Sequence, residues 1–523
     1  MVVQSVLIIG AGAGGLAAIK TCLEEGLEPT CFEMKPDIGG LWLLDESFER
    51  DAWRRQTLIT NTSREMTGFS DFPFPRDAPP FLTGEAVLRY YQKYAERFNL
   101  RPYIHCNSEV TKLEQNTDNK KWCVEVSKPG VGTKDYTFDA VLICCGRRQT
   151  YIPHYPGLET FKGTVTHSEL YRSNADIDDK KVLVVGASHS AGDVAVHASN
   201  NASQVFMSIR EGTWVITRNG PDGWPHDAFI HRRINFLPPE WYLQSWVKRT
   251  FFRRINFDTL GLRSVRNIFQ SDWMVNDNMQ IKIMAGKVKI KPAIDHFTTT
   301  GVTLCDGSTL EVDTVIFATG YRIAAPLVDT SIIQENSTDF RLYKSVFPPR
   351  LGRDGTLACI GLINIIGSYA PVAELQARWT VRVFKGLCKL PTPECMLKDV
   401  MQTRQEELRK RGKCSTVVFQ VKYQDEIASL AGLMPNWFKL LFTDPILAYH
   451  SLFGPAVPYY FRLEGPHAWP GARDAVIGCW EAYTRPTMTR KLEGPKTSRL
   501  FVFVKYSIIL SIILSLILSL IYY

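Results

Sequence analysis

Val6 to Glu33 reads VLIIGAGAGGLAAIKTCLEEGLEPTCFE, and no other stretch narrows the choice of fold as far. Four apolar residues, Val6 to Ile9, have the length and composition of a buried parallel strand. They run directly into Gly10, Gly12 and Gly15 at G-x-G-x-x-G spacing, and a helical pattern follows. Each glycine meets a separate steric demand: Gly10 the tight turn, Gly12 the approach of a pyrophosphate to the backbone, Gly15 the close packing of helix on strand. A phosphate in this cradle, which also includes Gly14, sits at the positive end of the helix dipole. Glu33 lies 23 residues beyond Gly10, after a second short apolar run. A carboxylate there can accept from both hydroxyls of an adenosine ribose. Strand, turn, helix and terminal acid in this order predict a dinucleotide-binding βαβ unit.

The pattern recurs. Val182 to Val185 predicts a strand, Gly186-Ala187-Ser188-His189-Ser190-Ala191 a turn, and a helix continues to about Ala198. Ser188 occupies the place of the second glycine and must avoid crowding the pyrophosphate; Ala191 is an accepted third residue. At the position equivalent to Glu33 stands Arg210, 24 residues past Gly186. Where an acid repels a 2′-phosphate, an arginine holds it, so this unit is expected to take NADP rather than NAD. Arg218 is a second candidate for the same role.

Between the two units, Gly39-Gly40-Leu41-Trp42 makes another glycine turn capped by an aromatic. Thr57 to Pro75 is rich in turn residues and aromatics and lacks periodicity, the composition of a binding loop, and contains Asn61. Gly84 to Asn99 predicts an amphipathic helix, and Trp122 to Ser127 and Tyr136 to Ile143 predict strands, the latter returning to the first sheet at Cys144-Cys145-Gly146. Thr314 to Phe317 runs into Ala318-Thr319-Gly320-Tyr321, where the inserted nucleotide unit hands the chain back. Cys359 to Ile366 predicts a further strand. Behind it lies a helix containing Glu374 and Gln376, whose first turn is expected to face a cofactor ring.

A chain of 523 residues is too long for one core and implies several domains. Its twelve cysteines show no metal-ligand spacing, and adjacent Cys144 and Cys145 suit buried thiols in a reducing compartment. Apolar residues begin almost at Met1 and lead into the glycine turn, so no signal peptide is expected. Ser507 to Tyr523, SIILSIILSLILSLIYY, carries no charge and is expected to be a membrane segment. Arg485, Arg490, Lys491, Lys496, Arg499 and Lys505 precede it, which keeps the body on the cytosolic side. Arg232 to Phe257 mixes Trp241, Tyr242, Trp246, Phe251 and Phe252 with six cations and one acid, and membrane contact is its better functional reading. The net charge of +8 is modest for this length, and no nucleic-acid module accompanies the basic stretch, so no nucleic-acid partner is expected.

Two nucleotide units without a catalytic triad or metal site place the hard chemistry on cofactors. Here Phe161-Lys-Gly163-Thr-Val-Thr-His167-Ser-Glu-Leu-Tyr171 becomes informative. With the two glycine motifs and Ala318 to Tyr321, it resembles the flavin-containing monooxygenase family in its animal microsomal branch. The likeness extends through TDPILAYHSLFGP and AWPGAR to the apolar tail. Ser188 and His189 depart from the family's usual Gly-Asn.

The resemblance implies an α/β fold of two Rossmann-like domains, the NADPH domain inserted into the FAD domain, plus a C-terminal membrane helix. Its expected division is 1–153 (FAD domain, first part), 154–330 (NADPH domain, with a membrane-contacting insertion at 214–290), 331–473 (FAD domain, second part), 474–506 (basic linker) and 507–523 (tail). It implies FAD at the Gly10 turn with Gly40, Leu41, Trp42 and Gln376, and NADPH at the Gly186 turn. Asn61, within NTSREM, corresponds to the family's asparagine beside the flavin ring and is the expected catalytic residue. The implied reaction is NADPH- and O2-dependent transfer of oxygen from a flavin C4a-hydroperoxide to a soft nucleophile, an amine or sulfide. Oxygen insertion next to a ketone, and peroxide release as an NADPH oxidase, stay open. So does a homo-oligomer. The implied location is the endoplasmic reticulum membrane, with membrane lipid as partner.

Overall fold

The computed structural model describes residues 3–43, 58–146, 148–171, 177–271, 273–323, 327, 330–336, 339–353, 355–411 and 417–490. Strand Ser5–Ile9 lies in the middle of a five-stranded parallel sheet, ordered Leu357–Cys359, Ala140–Ile143, Ser5–Ile9, Glu28–Phe32, Ile104–His105. Both faces of its central strands are covered, which is why Val6 to Ile8 and Ala140 to Leu142 are apolar without alternation. Helix Ala13–Glu24 follows the first strand and packs against helix Tyr369–Phe384.

A second all-parallel sheet runs Val288–Lys291, Gln204–Ser208, Lys181–Val185, Thr314–Phe317, Thr164–His167. It is built within the chain between two strands of the first sheet, Ala140–Ile143 and Leu357–Cys359. Two short strands, Arg148–Thr150 and Tyr321–Ile323, pair antiparallel where the chain leaves and returns. His167 sits at this crossing: its Nε2 is 3.1 Å from Gly320 O and its Nδ1 accepts from Glu169 N at 3.2 Å. The histidine of the sequence motif thus fixes the linker turn.

Two strand boundaries differ from expectation. The run Tyr136 to Ile143 is two strands, Gly132–Phe138 in an antiparallel three-stranded sheet and Ala140–Ile143 in the parallel one. Asp139 makes the break. Its carboxylate accepts from Gln4 N, Ser5 N and Ser5 Oγ at 2.9 to 3.0 Å, and those hydrogen bonds hold its pKa down at about 2. Likewise Cys359 to Ile366 is not one strand: Leu357–Cys359 enters the sheet, while Asn364–Ile366 pairs with Val417–Phe419.

The basic aromatic stretch divides in two. Trp241 and Tyr242, on helix Glu240–Phe251, are 67% and 52% exposed, as is neighbouring Leu237 at 69%. Phe252 instead joins a buried cluster, with Trp246 and Phe251 packed against it. Arg232 stacks on Phe229 and Trp480, and Arg233 pairs with Asp425 at 2.8 Å over the ring of Tyr460. Only part of the stretch is therefore available to a bilayer. The expected tail, 507–523, lies outside the described residues; among the described residues no helix is long and apolar enough to cross a membrane.

Candidate functional site

The first glycine turn is shaped by backbone contacts that exclude side chains. Gly10 adopts φ +98°, and a Cβ there would lie 3.2 Å from Cys145 N. A Cβ on Gly15 would stand 1.8 Å from Gly10 O, so the helix can begin this close to the strand only with glycine. Gly14 faces Ile360 and Ala373, and so serves the helix–helix contact instead of the cradle. Gly12 faces Gly40: a Cβ on Gly12 would stand 3.5 Å from Gly40 Cα and 4.0 Å from Gly40 N. The Gly40–Trp42 turn is thereby set against the phosphate loop, tied by Gly39 N to Ala11 O at 3.1 Å and by Lys35 Nζ to Gly40 O at 2.8 Å. Trp42 is half-buried and Leu41 is 80% exposed.

Glu33 is buried at the end of strand Glu28–Phe32. Its Oε2 accepts from Ala11 N at 2.6 Å and its Oε1 from Lys35 N at 2.9 Å. Each oxygen keeps a lone pair for a further donor. One carboxylate therefore braces the glycine turn and keeps an acceptor on each oxygen.

The second turn repeats this construction. Gly186 has φ +145°, and a Cβ there would be 2.4 Å from Ala318 O. Ser188 caps helix His189–Ala198 from an extended conformation, φ −107° and ψ −167°, open to any residue. Its hydroxyl donates to Trp273 O at 3.5 Å. His189 Nδ1 accepts from Val275 N at 3.0 Å. Ala191 is buried behind the turn, and Ser190 in the first turn of the helix and Arg210 just beyond strand Gln204–Ser208 are exposed.

Asn61 lies where the segment 59–63 meets the segment 218–227, through Arg218. Arg218, the second candidate for the 2′-phosphate, is only 6% exposed and is engaged by groups of the protein itself. Its Nη2 donates to Asn61 Oδ1 at 2.8 Å, its Nε to Thr60 O at 2.9 Å and its Nη1 to Asp277 Oδ2 at 2.8 Å. Asp277 also accepts the backbone N–H of Arg218 at 2.7 Å. Two residues beyond Asn61, Ser63 donates its N–H to Asp227 at 2.6 Å and its Oγ at 3.0 Å, and Tyr483 OH lies 3.0 Å from the same hydroxyl. Burial pushes the Asp227 carboxyl up. Asp193, on the helix after the second turn, is raised to about 6 by burial, against the opposing pull of Arg218 and of a hydrogen bond from Asn276. None of Asp227, Asp277 or Asp193 carries a sequence motif of its own; Arg218 was the one residue of this cluster that the sequence singled out.

Gln376 is likewise displaced from its expected role. Its Oε1 accepts from Gly361 N at 2.7 Å and its Nε2 donates to Tyr423 OH at 2.6 Å, both buried, so the carboxamide ties strand to helix. Glu374 of the same helix accepts from Ser70 N at 2.7 Å and pairs with Arg462 at 3.0 Å. Both side chains point into the protein interior, because the middle of helix Tyr369–Phe384 is enclosed on all sides.

The chain matches the flavin-binding monooxygenase-like family model over residues 3–522. It is 38% identical over 522 residues to the N-oxide-forming dimethylaniline monooxygenase 2 of Rattus norvegicus, covering 96% of each chain. It is also 38% identical over 511 residues to flavin-containing monooxygenase 2 of Homo sapiens, covering 94% of each. Among solved structures, S-allyl-L-cysteine S-oxygenase from Allium sativum superposes with a TM-score of 0.63 at 23% identity, covering 93% of this chain and all (100%) of that one. An open form of cyclohexanone monooxygenase superposes at 0.57 and 16% identity over 82% of this chain and 98% of that one, a likeness of fold. By the extent of the family match and by this identity, the chain belongs to the flavin-binding monooxygenase-like family.

Proposed function

We propose that this protein oxygenates soft nucleophiles at nitrogen or sulfur, with Asn61 facing the flavin where the two nucleotide-binding units meet. The protein is an enzyme, a flavin-dependent oxidoreductase that uses FAD and NADPH. The observation that carries the site assignment is the bridge from Arg218 to Asn61: it joins the chain beyond the second nucleotide turn to the loop beside the first.

The residues present fit both groups. Gly12 and Gly40 approach so closely that a Cβ on Gly40 would stand 3.0 Å from Gly12 Cα, and Glu33 keeps an acceptor on each oxygen for an adenosine ribose. Arg210 stands free of the buried Arg218 cluster and is exposed, as a 2′-phosphate ligand must be. FAD, when bound, supplies oxygen activation and NADPH supplies two electrons. One oxygen atom goes to the nucleophile and the other leaves as water, with one proton taken up, so no protein nucleophile is needed. The chain's own task is to hold the cofactors together and keep water from the reaction. Its carboxylates serve this by binding arginine, backbone N–H and ribose, and its Asn61 amide by directing a fixed hydrogen-bonding group.

We assign the exposed Leu237, Trp241 and Tyr242 to contact with membrane lipid, beside Lys248, Arg249, Arg253 and Arg254. Aromatics that present an apolar body and a polar tip suit the head-group level, and basic residues suit anionic lipid. With the apolar segment at 507–523 this supports attachment to the endoplasmic reticulum membrane, body on the cytosolic side.

The test of function is stoichiometry. FAD-loaded protein receives NADPH and oxygen with a tertiary arylamine or an alkyl aryl sulfide, and N-oxide or S-oxide, peroxide and NADPH are counted together. About one product per NADPH is expected for at least one of the two substrates, by the two-electron balance above. Peroxide equal to the NADPH consumed with both substrates would make the protein an oxidase instead.

A further inference from the structure

We propose that Arg218 is a positioning residue that fixes the polarity of the Asn61 carboxamide, so that Asn61 turns its Nδ2 hydrogens toward the cofactor and acts there as a donor. The inference rests on the placement of Asn61 at the flavin given above.

The reasoning is a count of donors and acceptors. A guanidinium carries five N–H donors and no acceptor, whereas a carboxamide has one oxygen that accepts and one nitrogen that donates. The 2.8 Å contact from Arg218 Nη2 therefore requires Asn61 Oδ1; a flipped amide would set N–H against N–H. That leaves Nδ2 facing away from the arginine, and the described residues supply no acceptor for it. The arginine itself has no freedom to follow a flip. Its Nε and Nη2 also hold Thr60 O and Ile59 O at 2.9 and 3.3 Å, its Nη1 is paired with Asp277, and its planar fork ties these directions together. Even its carbonyl is held twice, by His226 N at 2.9 Å and by His226 Nδ1 at 3.1 Å, which must carry a proton to meet a carbonyl. At the far end of the loop Asp227 grips Ser63 N and Oγ. The loop Ile59 to Ser63 is thus held at both ends by the segment 218–227. A fixed donor beside the flavin stabilises negative charge on it without reorganisation.

The experiment is a double-mutant cycle on the FAD-loaded full chain. It is read by the midpoint potential of the bound flavin and by peroxide released per NADPH, with FAD content and melting temperature recorded for each variant. Asn61→Ala should lower the potential and raise the peroxide fraction about fivefold, the usual equivalent of one hydrogen bond. Arg218→Lys keeps the charge but loses the planar fork. It should shift both readouts in the same direction in the native background and neither in the Asn61→Ala background. Equal effects in the two backgrounds would overturn the proposal, because Arg218 would then act through charge or packing and not through Asn61. If Arg218→Lys fails to load FAD, Asn61→Asp serves, since it keeps an acceptor for Arg218 and removes the donor. Values like those of Asn61→Ala support the proposal and native values overturn it. A native potential and peroxide fraction in Asn61→Ala itself would mean that Asn61 is not at the flavin, a failure of the underlying site assignment that the cycle reports separately.

Discussion

Replacing Glu33 by glutamine exchanges one heavy atom, a carboxylate oxygen for an amide nitrogen, and should damage both the glycine turn and cofactor binding. In the native protein the carboxylate accepts from Ala11 N and Lys35 N at 2.6 and 2.9 Å and is 5% exposed. A glutamine has one acceptor oxygen, so its amide nitrogen must face the second N–H, leaving a buried donor without a partner. Losing one charge-assisted bond costs about 1.5–3 kcal/mol, and the surviving neutral bond contributes about 1 kcal/mol. A local destabilisation of about 3 kcal/mol follows. For FAD, one of two ribose contacts is lost, about 2 kcal/mol or roughly a thirtyfold weaker Kd. Fluorescence quenching on titrating FAD into deflavinated protein measures the second quantity, and urea denaturation of the same sample the first. A Kd within about threefold of native, with an unchanged denaturation midpoint, would refute the dual role of Glu33.

Two further outcomes follow from the same geometry. Arg210→Ala should lower the preference for NADPH over NADH by about 10- to 100-fold, the worth of one charge-assisted contact to a 2′-phosphate, measured as a ratio of kcat/KM values; an unchanged ratio would place the phosphate elsewhere. His231 is buried, and desolvation brings its pKa down from 6.5 to about 3. Between these values the unfolded chain binds a proton that the folded protein does not, so the stability is complete above pH 6.5 and is lost as pH falls, by about 1.4 kcal/mol per unit. In His231→Gln that slope is absent, and the stability difference between native and variant should shrink by about 2 kcal/mol from pH 6.5 to pH 5 in urea denaturation; parallel curves would refute it.

The elements that the sequence located best are those whose cause is local. Gly10, Gly15 and Gly186 are required by backbone approaches of a few residues' range or by a positive φ, and a spacing motif records such demands directly. The helix Gly84–Arg97 was legible from its periodicity, and the structure adds an N-cap, the Thr83 hydroxyl accepting from Ala86 N. Glu33 was legible because strand length fixes its distance from the turn. Boundaries were less secure where one residue has competing partners: nothing in the run Tyr136 to Ile143 shows that Asp139 is claimed by Ser5.

Taken by itself, then, the sequence determined two units of strand, glycine turn and helix, their order, and the loop that carries Asn61. Tertiary structure alone decided how that loop is held. Arg218 and Asn61 are 157 residues apart, and Asp227 and Ser63 164 apart. An arginine at an exposed strand end and one buried under a loop look alike in sequence; so do a glutamine facing a ring and one spanning Gly361 and Tyr423. The physical reason is that spacing encodes the periodicity and steric limits of neighbouring residues, whereas the partner of a buried polar group is set by which distant elements the packed core brings within 3 Å of it.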